Sequence, residues 1–102
     1  MYTYRITPSA FRDLQEIGDY ISEQLHAPES AAGLLQAIQE AIEAACRYPL
    51  SLPKVNDRLL MAKGYRKMIV RNYIVFVLVD QENERLDVMR VMYYARNYLK
   101  EL

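Results

Sequence analysis

The feature that most constrains the fold is an apolar run at residues 64–80, GYRKMIVRNYIVFVLVD, which contains no proline. β-Branched and aromatic residues fill its middle, and such residues suit the pleated, buried surface of a sheet. Arg71-Asn72 interrupts the run, and asparagine tolerates the left-handed backbone that a tight turn requires. The run therefore predicts a β-hairpin, with residues 65–70 paired to residues 73–80.

The second arm of this hairpin, residues 73–80, is apolar at nearly every position, which indicates a central strand covered on both faces. Residues 81–85 form a polar turn, and residues 86–93 provide a third strand. Three consecutive strands with short links predict an antiparallel meander. Residues 58–63, which precede the hairpin, fit either a short strand or a turn.

The first half of the chain has mainly helical patterns. Residues 2–6 alternate and are short, which predicts an edge strand. Thr7 then provides the N-cap of a helix, with Pro8 at the first helical position, where its missing N–H has no consequence. Apolar residues at helical spacing define one stripe on this helix: Phe11, Leu14, Ile17, Ile21 and Leu25.

A second helix begins at Pro28 and ends at Tyr48-Pro49, because the residue before proline disfavours helical backbone. The short break between the two helices predicts an antiparallel helical hairpin. A short final helix is predicted at residues 94–102. The apolar stripe of the second helix consists of Ala31, Leu35, Ile38, Ile42 and Ala45, with Leu34 alongside.

Together these patterns predict an α+β fold in one domain spanning residues 1–102. An N-terminal strand and an antiparallel helical hairpin accompany a three- to four-stranded antiparallel β-sheet, on which the hairpin packs. No apolar stretch is long enough to span a bilayer, and the N-terminus lacks a signal-peptide pattern. With a single cysteine, Cys46, no internal disulfide is possible, so a cytoplasmic location is expected.

The formal net charge is zero, but the charges are unevenly distributed. Residues 1–53 carry three basic and seven acidic side chains, a net charge of −4, and residues 54–102 carry ten basic and six acidic, a net charge of +4. The basic half contains the sheet and suits an acidic protein segment or a nucleic acid. Zero net charge argues against strong nonspecific RNA binding. No metal-ligand cluster, glycine-rich phosphate loop or catalytic triad is present, so neither a metal nor a cofactor is expected.

Four segments in this order resemble the RelE/ParE toxins of type II toxin–antitoxin systems. They are TPSAFRDLQEIGDYI, an alanine-rich helix ending in YP, the run GYRKMIVRNYIVFVLVD, and RVMYYARNYL. The resemblance covers nearly the whole chain and implies the same strand, helical hairpin and sheet. It also implies a small toxin that is neutralised by an antitoxin encoded beside it.

The family divides by mechanism. RelE-like members are ribosome-dependent mRNA endonucleases in which the mRNA 2′-hydroxyl attacks the neighbouring phosphate. Their lysines and arginines, with a tyrosine or histidine, stabilise the phosphorane and move protons. ParE-like members inhibit DNA gyrase. If this chain is a nuclease, the resemblance implies catalytic roles for Lys67, Arg66, Tyr93 and Arg96.

Strand alternation predicts that Lys67 lies on the side of the sheet away from the helices, because Met68 and Val70 belong against the helices. Nuclease relatives carry two basic residues on that side of the first arm and an arginine on the next arm. The matching positions here are Lys67, Ile69 and Ile74, so two of three are apolar.

The end of the last strand departs from the nuclease pattern as well. Tyr93 stands where relatives carry a histidine, and Ala95 replaces an arginine. The nuclease constellation is therefore depleted, although Lys67, Tyr93 and Arg96 are still expected to be able to converge. Arg66, which recurs in both branches of the family, fits a structural role that ties loop or helix ends better than a catalytic one.

The expected antitoxin surface combines the basic sheet half with the apolar C-terminal face, a combination typical of interfaces. Its residues are Arg90, Tyr94, Tyr98 and Leu102. Arg90 lies in an apolar strand, which also predicts a carboxylate partner, either Asp87 or one from a helix.

The sequence therefore favours a growth-inhibiting toxin on the ParE-like, non-nucleolytic side, which acts on DNA gyrase. The depleted basic face and the zero net charge support this choice. One alternative is a ribosome-dependent mRNA endoribonuclease that needs no metal, with the ribosome and mRNA as partners. Another is a degenerate interaction module that only binds a partner protein.

Overall fold

The computed structural model describes residues 1–95 and 102 of the chain. It consists of a four-stranded sheet with two long helices packed on one face. The elements, in chain order, are β1 (Thr3–Ile6), α1 (Pro8–Asp19), a π-helical turn (Tyr20–Gln24), α2 (Pro28–Ala45), a 3₁₀ turn (Pro49–Ser51), α3 (Arg58–Ala62), β2 (Arg66–Val70), β3 (Tyr73–Asp80) and β4 (Arg85–Tyr93).

The strand order in the sheet is β1-β4-β3-β2. The antiparallel meander of β2, β3 and β4 is confirmed, as is the edge position of β1. The expectation of a wholly antiparallel sheet is wrong, because β1 pairs parallel with β4 in the register Thr3↔Arg85 to Ile6↔Val88. The sheet is therefore mixed. The direction of β1 relative to β4 depends on the path of the whole chain between these two strands. Short-range sequence patterns do not specify that path.

Each face of the sheet carries its own apolar core. The helix face packs against α1 and α2, and its sheet residues include Val75, Val77 and Val91. The opposite face, called the far face here, holds Ile74 and Phe76 together with other buried residues. β3 is therefore covered on both faces, as its sequence predicted. The other buried members of the far-face core are Val55, Leu60, Tyr65 and Met92.

The start of α1 is confirmed in detail. Thr7 is the N-cap, its hydroxyl oxygen accepts the Ala10 N–H at 3.2 Å, and Pro8 occupies the first turn. The same hydroxyl donates to the Met89 carbonyl of β4 at 3.0 Å. Thr7 therefore caps α1 and also links the start of the helix to β4 by a hydrogen bond.

The predicted stripe of α1 is wrong at both ends, because Phe11 and Leu25 are each 55% exposed. The buried residues of the helix are instead Ala10 and Asp13. Asp13 faces the sheet and bonds to β4, whereas Phe11 lines a surface groove together with residues of β1 and α2. The stripe of α2 is confirmed, except that Leu35 is half-buried.

Two turns differ from their predictions. In the β2–β3 turn the left-handed residue is Arg71, with φ 55°, and Asn72 is not in that region. Residues 58–63 form neither a strand nor a simple turn, since α3 occupies Arg58–Ala62. Asp57 caps α3 by accepting the Leu60 N–H at 3.0 Å, and Leu60 is buried in the far-face core. The predicted C-terminal helix lies mostly outside the described residues.

Candidate functional site

The positions that the family resemblance assigns to a nuclease site lie together on the far face. Lys67 pairs with Phe76 and Ile69 pairs with Ile74 across the β2–β3 ladder. Directly paired residues share a face, and both Phe76 and Ile74 belong to the far-face core. Ile69 is 65% exposed, whereas Ile74 is buried. The three positions that would bind the RNA phosphate in a nuclease therefore carry one cation, Lys67, and two aliphatic side chains, Ile69 and Ile74.

Arg66 lies on the opposite face from Lys67, because it pairs with Val77 of the helix-face core. Its guanidinium donates to the carbonyl oxygens of Leu50 at 3.1 Å and Leu52 at 2.7 Å. These two bonds hold the loop after α2 against β2. A guanidinium engaged in this way stabilises the loop and points away from the far face.

Tyr93 also lies on the helix face, since it pairs with Tyr73 at the end of the sheet. The two rings meet edge to face with centroids 5.7 Å apart, a favourable arrangement for aromatic pairs. Burial raises the pKa of Tyr73 above its usual value near 10, and Tyr93 and Tyr20 raise it further. The structure thus gathers three tyrosines on the helix face and does not bring Tyr93 together with Lys67.

Arg90 has a carboxylate partner from a helix, Asp13 of α1. Arg90 Nε donates to Asp13 Oδ2 at 2.7 Å and Nη2 donates to Oδ1 at 3.0 Å, which is a bidentate pair. Asp13 Oδ2 also accepts the Val91 N–H at 2.9 Å. One buried carboxylate thus serves both a cation and a backbone donor on the part of β4 that β1 does not reach.

Asp13 is the residue that the sequence analysis missed. It lies between apolar positions of α1 and breaks the stripe, and a carboxylate at such a position signals a buried partner. Arg90 follows Met89, the extra residue of a bulge in β4, and bulges re-aim the side chains beside them. The proposed role of Arg90 in partner binding stays a prediction, although its guanidinium already has this internal partner.

Two of the other predicted site residues fall within the described part of the chain. Tyr94 is 56% exposed and lies 5.3 Å, centroid to centroid, from Tyr93. Leu102 packs against the far-face core. Arg96 and Tyr98 lie outside the described residues. Within residues 1–95 and 102, no group of histidine, cysteine or acidic side chains has a geometry suited to a metal ion.

The far-face side of the molecule presents exposed apolar side chains near basic ones. Leu59 and Met61 of α3 and Ile69 of β2 are all exposed. Pro53 to Val55 runs beside β2, with bonds from Lys67 N to Pro53 O and from Val55 N to Tyr65 O. The basic residues of this region are Lys54, Arg58, Lys63 and Lys67. Exposed apolar side chains on a surface that also carries cations are typical of a protein-binding surface.

Solved structures with the same architecture include toxins and toxin–antitoxin complexes. The chromosomal ParDE system from P. aeruginosa matches with a TM-score of 0.74 and 19% identity, over 91% of this chain and 96% of that one. The RelBE2 toxin–antitoxin complex from Mycobacterium tuberculosis matches with a TM-score of 0.64 and 23% identity, over 93% of both chains. The isolated E. coli RelE toxin matches with a TM-score of 0.60 and 14% identity, over 99% of this chain and 93% of that one. The fold is therefore that of RelE/ParE-like toxins.

The sequence itself identifies the family. Residues 4–98 match the family model described as the ParE toxin of the type II toxin–antitoxin system parDE, so the chain belongs to the ParE toxin family. No curated protein matches it. None of the described helices combines the length and the apolarity that spanning a bilayer requires.

Proposed function

We propose that the whole 102-residue chain is a growth-inhibiting toxin that acts on DNA gyrase, does not cleave RNA, and is neutralised by a cognate antitoxin. The observation that carries this proposal is the separation of the candidate nuclease residues. Lys67 lies on the far face, whereas Arg66 and Tyr93 lie on the helix face. Membership of the ParE toxin family also supports the ParE-like mechanism over the RelE-like one.

RNA cleavage without a metal requires several cations and a proton-transfer group around one phosphate. On the far face, Ile69 and Ile74 pair directly at the positions where nuclease relatives carry basic side chains. Loss of one preorganised donor typically lowers the rate about a hundredfold to a thousandfold. Ile69 and Ile74 replace two such donors, and Tyr93 lies on the other face of the sheet. The site around Lys67 is therefore expected to catalyse RNA cleavage poorly.

The lysine at the centre of the alternative provides a direct test. Lys67→Ala is expected to leave growth arrest after induction unchanged, because Lys67 has no catalytic role in the proposed function. Lys63→Ala, which removes an exposed lysine just before β2, is the control, whereas Lys67 itself is half-buried within the strand. The measurements are growth after induction and primer extension on cellular mRNA. Codon-specific cuts that disappear only in Lys67→Ala would instead identify a ribosome-dependent endoribonuclease.

The far-face surface supports an antitoxin with a particular chemistry. Exposed Ile69, Leu59 and Met61 offer apolar contact, and the neighbouring lysines and arginine favour acidic side chains around it. The proposed occupant is an amphipathic, acidic antitoxin segment that folds when it binds. The toxin–antitoxin systems among the solved structures of this fold support an antitoxin as the partner.

Ile69→Glu is expected to weaken antitoxin binding at least about tenfold, because it places a charge in an apolar contact and repels an acidic segment. Tyr48→Glu is the control, since Tyr48 is exposed in the turn after α2 and does not belong to the far-face core. Calorimetric titration of each purified variant with the antitoxin gives the two affinities. Equal affinities for the two variants would place the antitoxin elsewhere.

A further inference from the structure

A second surface, on the helix face, has no role in the proposed antitoxin contact. An open groove of about 650 Å³ lies where the end of the helical hairpin meets the β2–β3 turn and the last residues of β4. Tyr20, Tyr73 and Tyr93 line it, together with Arg71 and Glu16, and it is called the tyrosine groove here. Tyrosine and arginine dominate the binding energy of many protein interfaces, so this composition is that of a recognition site.

The backbone around the tyrosine groove departs from regular structure at three places. Tyr20 begins the π-helical turn Tyr20–Gln24, a conformation found frequently at functional sites. His26 and Arg71 adopt left-handed conformations with φ of 51° and 55°, which residues other than glycine adopt uncommonly. Tyr20, the first residue of this π-helical turn, is 55% exposed and lines the groove.

Charge distinguishes between the possible occupants. Glu16 lines the groove, and the exposed Asp19 and Glu23 flank Tyr20 along the chain. Arg71 is the groove's exposed cation, and it forms no ion pair within residues 1–95 and 102. Its guanidinium lies beside α2, since a methyl group on Gly33 would be 3.9 Å from Nη1.

The exposed carboxylate of Glu16 in the groove, with those of Asp19 and Glu23 close to Tyr20 in the chain, disfavours a nucleic-acid backbone, whose binding depends on many cationic contacts to phosphates. The same charges attract basic side chains, and the tyrosine rings accept an apolar side chain between them. The occupant that fits both features is a protein segment with an aliphatic or aromatic anchor and basic flanks.

We infer that the tyrosine groove binds the toxin's target protein through a basic amphipathic segment whose apolar anchor lies between Tyr20, Tyr73 and Tyr93. This inference rests on the proposed function, in which the toxin acts on a protein. The antitoxin surface proposed above lies on the opposite face of the sheet, so the two partners occupy different surfaces. Arg71 would donate to a carbonyl or a single acidic side chain of the same segment.

The test uses the double variant Tyr20→Ser with Glu16→Lys, which removes one ring and reverses one rim charge. Both residues are exposed, so the fold is expected to persist. The matched control is Tyr48→Ser with Glu40→Lys, which makes the same changes away from the groove. Purified proteins are titrated against DNA gyrase holoenzyme and against the antitoxin, and growth arrest is followed in cells.

The groove variant is expected to inhibit gyrase at least about tenfold less well than the control and to lose growth arrest. Its affinity for the antitoxin is expected to stay within about twofold of the control, which also shows that it is folded. Glu23→Lys gives a second, milder variant, with a smaller loss in the same direction.

Other results would overturn the inference in distinguishable ways. Full growth arrest by the groove variant would show that the target does not use the groove, and a parallel loss of antitoxin affinity would assign the groove to the antitoxin. A loss of mRNA cleavage in the groove variant would point to a nucleic acid as occupant. If the unmodified protein arrests growth without inhibiting gyrase, the proposed target is wrong, and the growth comparison still decides the groove. A protein without any growth arrest would overturn both proposals.

Discussion

Asp13→Ala is expected to lower the free energy of unfolding by about 3 kcal/mol, the largest effect on stability among the substitutions considered. The change leaves the Arg90 guanidinium without its bidentate partner and the Val91 N–H without an acceptor. Both groups lie between α1 and β4, where the side chains of Asp13 and Arg90 are only 9% and 22% exposed. Because Arg90 retains some access to water, the expected loss is at the lower end of the range for buried ion pairs.

Urea denaturation of the purified protein measures this loss, and a domain of this size should also melt roughly 12 °C lower or more. Asp19→Ala is the control, because Asp19 is the exposed last residue of the same helix and its side chain makes no capping hydrogen bond to the π-helical turn that follows. Asp13→Leu combined with Arg90→Met is expected to recover part of the loss, since apolar side chains then replace both members of the ion pair. Equal midpoints for Asp13→Ala and Asp19→Ala would mean that the pair does not hold α1 on the sheet.

Much of the fold could be predicted from local patterns in the sequence. The apolar run and its interruption define the β2–β3 hairpin, and Thr7-Pro8 defines the start of α1, because these signals depend on neighbouring residues. The parallel pairing of β1 with β4 was not predictable in this way, since it joins segments separated by most of the chain. α3 was missed because five residues are too few to show a helical period.

The candidate site shows the same division between local and long-range information. Alternation correctly placed Met68 and Val70 against the helices, and it placed Lys67 on the opposite face. It did not reveal that Tyr93 lies on the helix face, because the bulge at Met89 shifts the register of β4. The pairing of Asp13 with Arg90 spans 77 positions, so no spacing rule connects them.

Induction of the protein without its antitoxin is expected to arrest growth with filamentation and DNA-damage signalling, because inhibition of gyrase stops the changes in DNA supercoiling that the enzyme carries out. Codon-dependent mRNA cuts are expected to be absent, since the candidate nuclease residues lie on two faces of the sheet. Microscopy, a damage-responsive reporter and primer extension measure the three effects after induction. Co-expression of the antitoxin is the control and should restore growth. Arrest with strong ribosome-dependent cleavage, and no damage signal, would contradict this expectation.

The central claim is that this ParE-family toxin acts on DNA gyrase, and a supercoiling assay with purified components tests it most directly. Relaxed plasmid is incubated with gyrase and ATP while the toxin concentration is raised, with and without a stoichiometric amount of antitoxin. The predicted result is inhibition of supercoiling that increases with toxin, disappears when antitoxin is added, and is unchanged by Lys67→Ala. Normal supercoiling at a large molar excess of folded toxin would contradict the account.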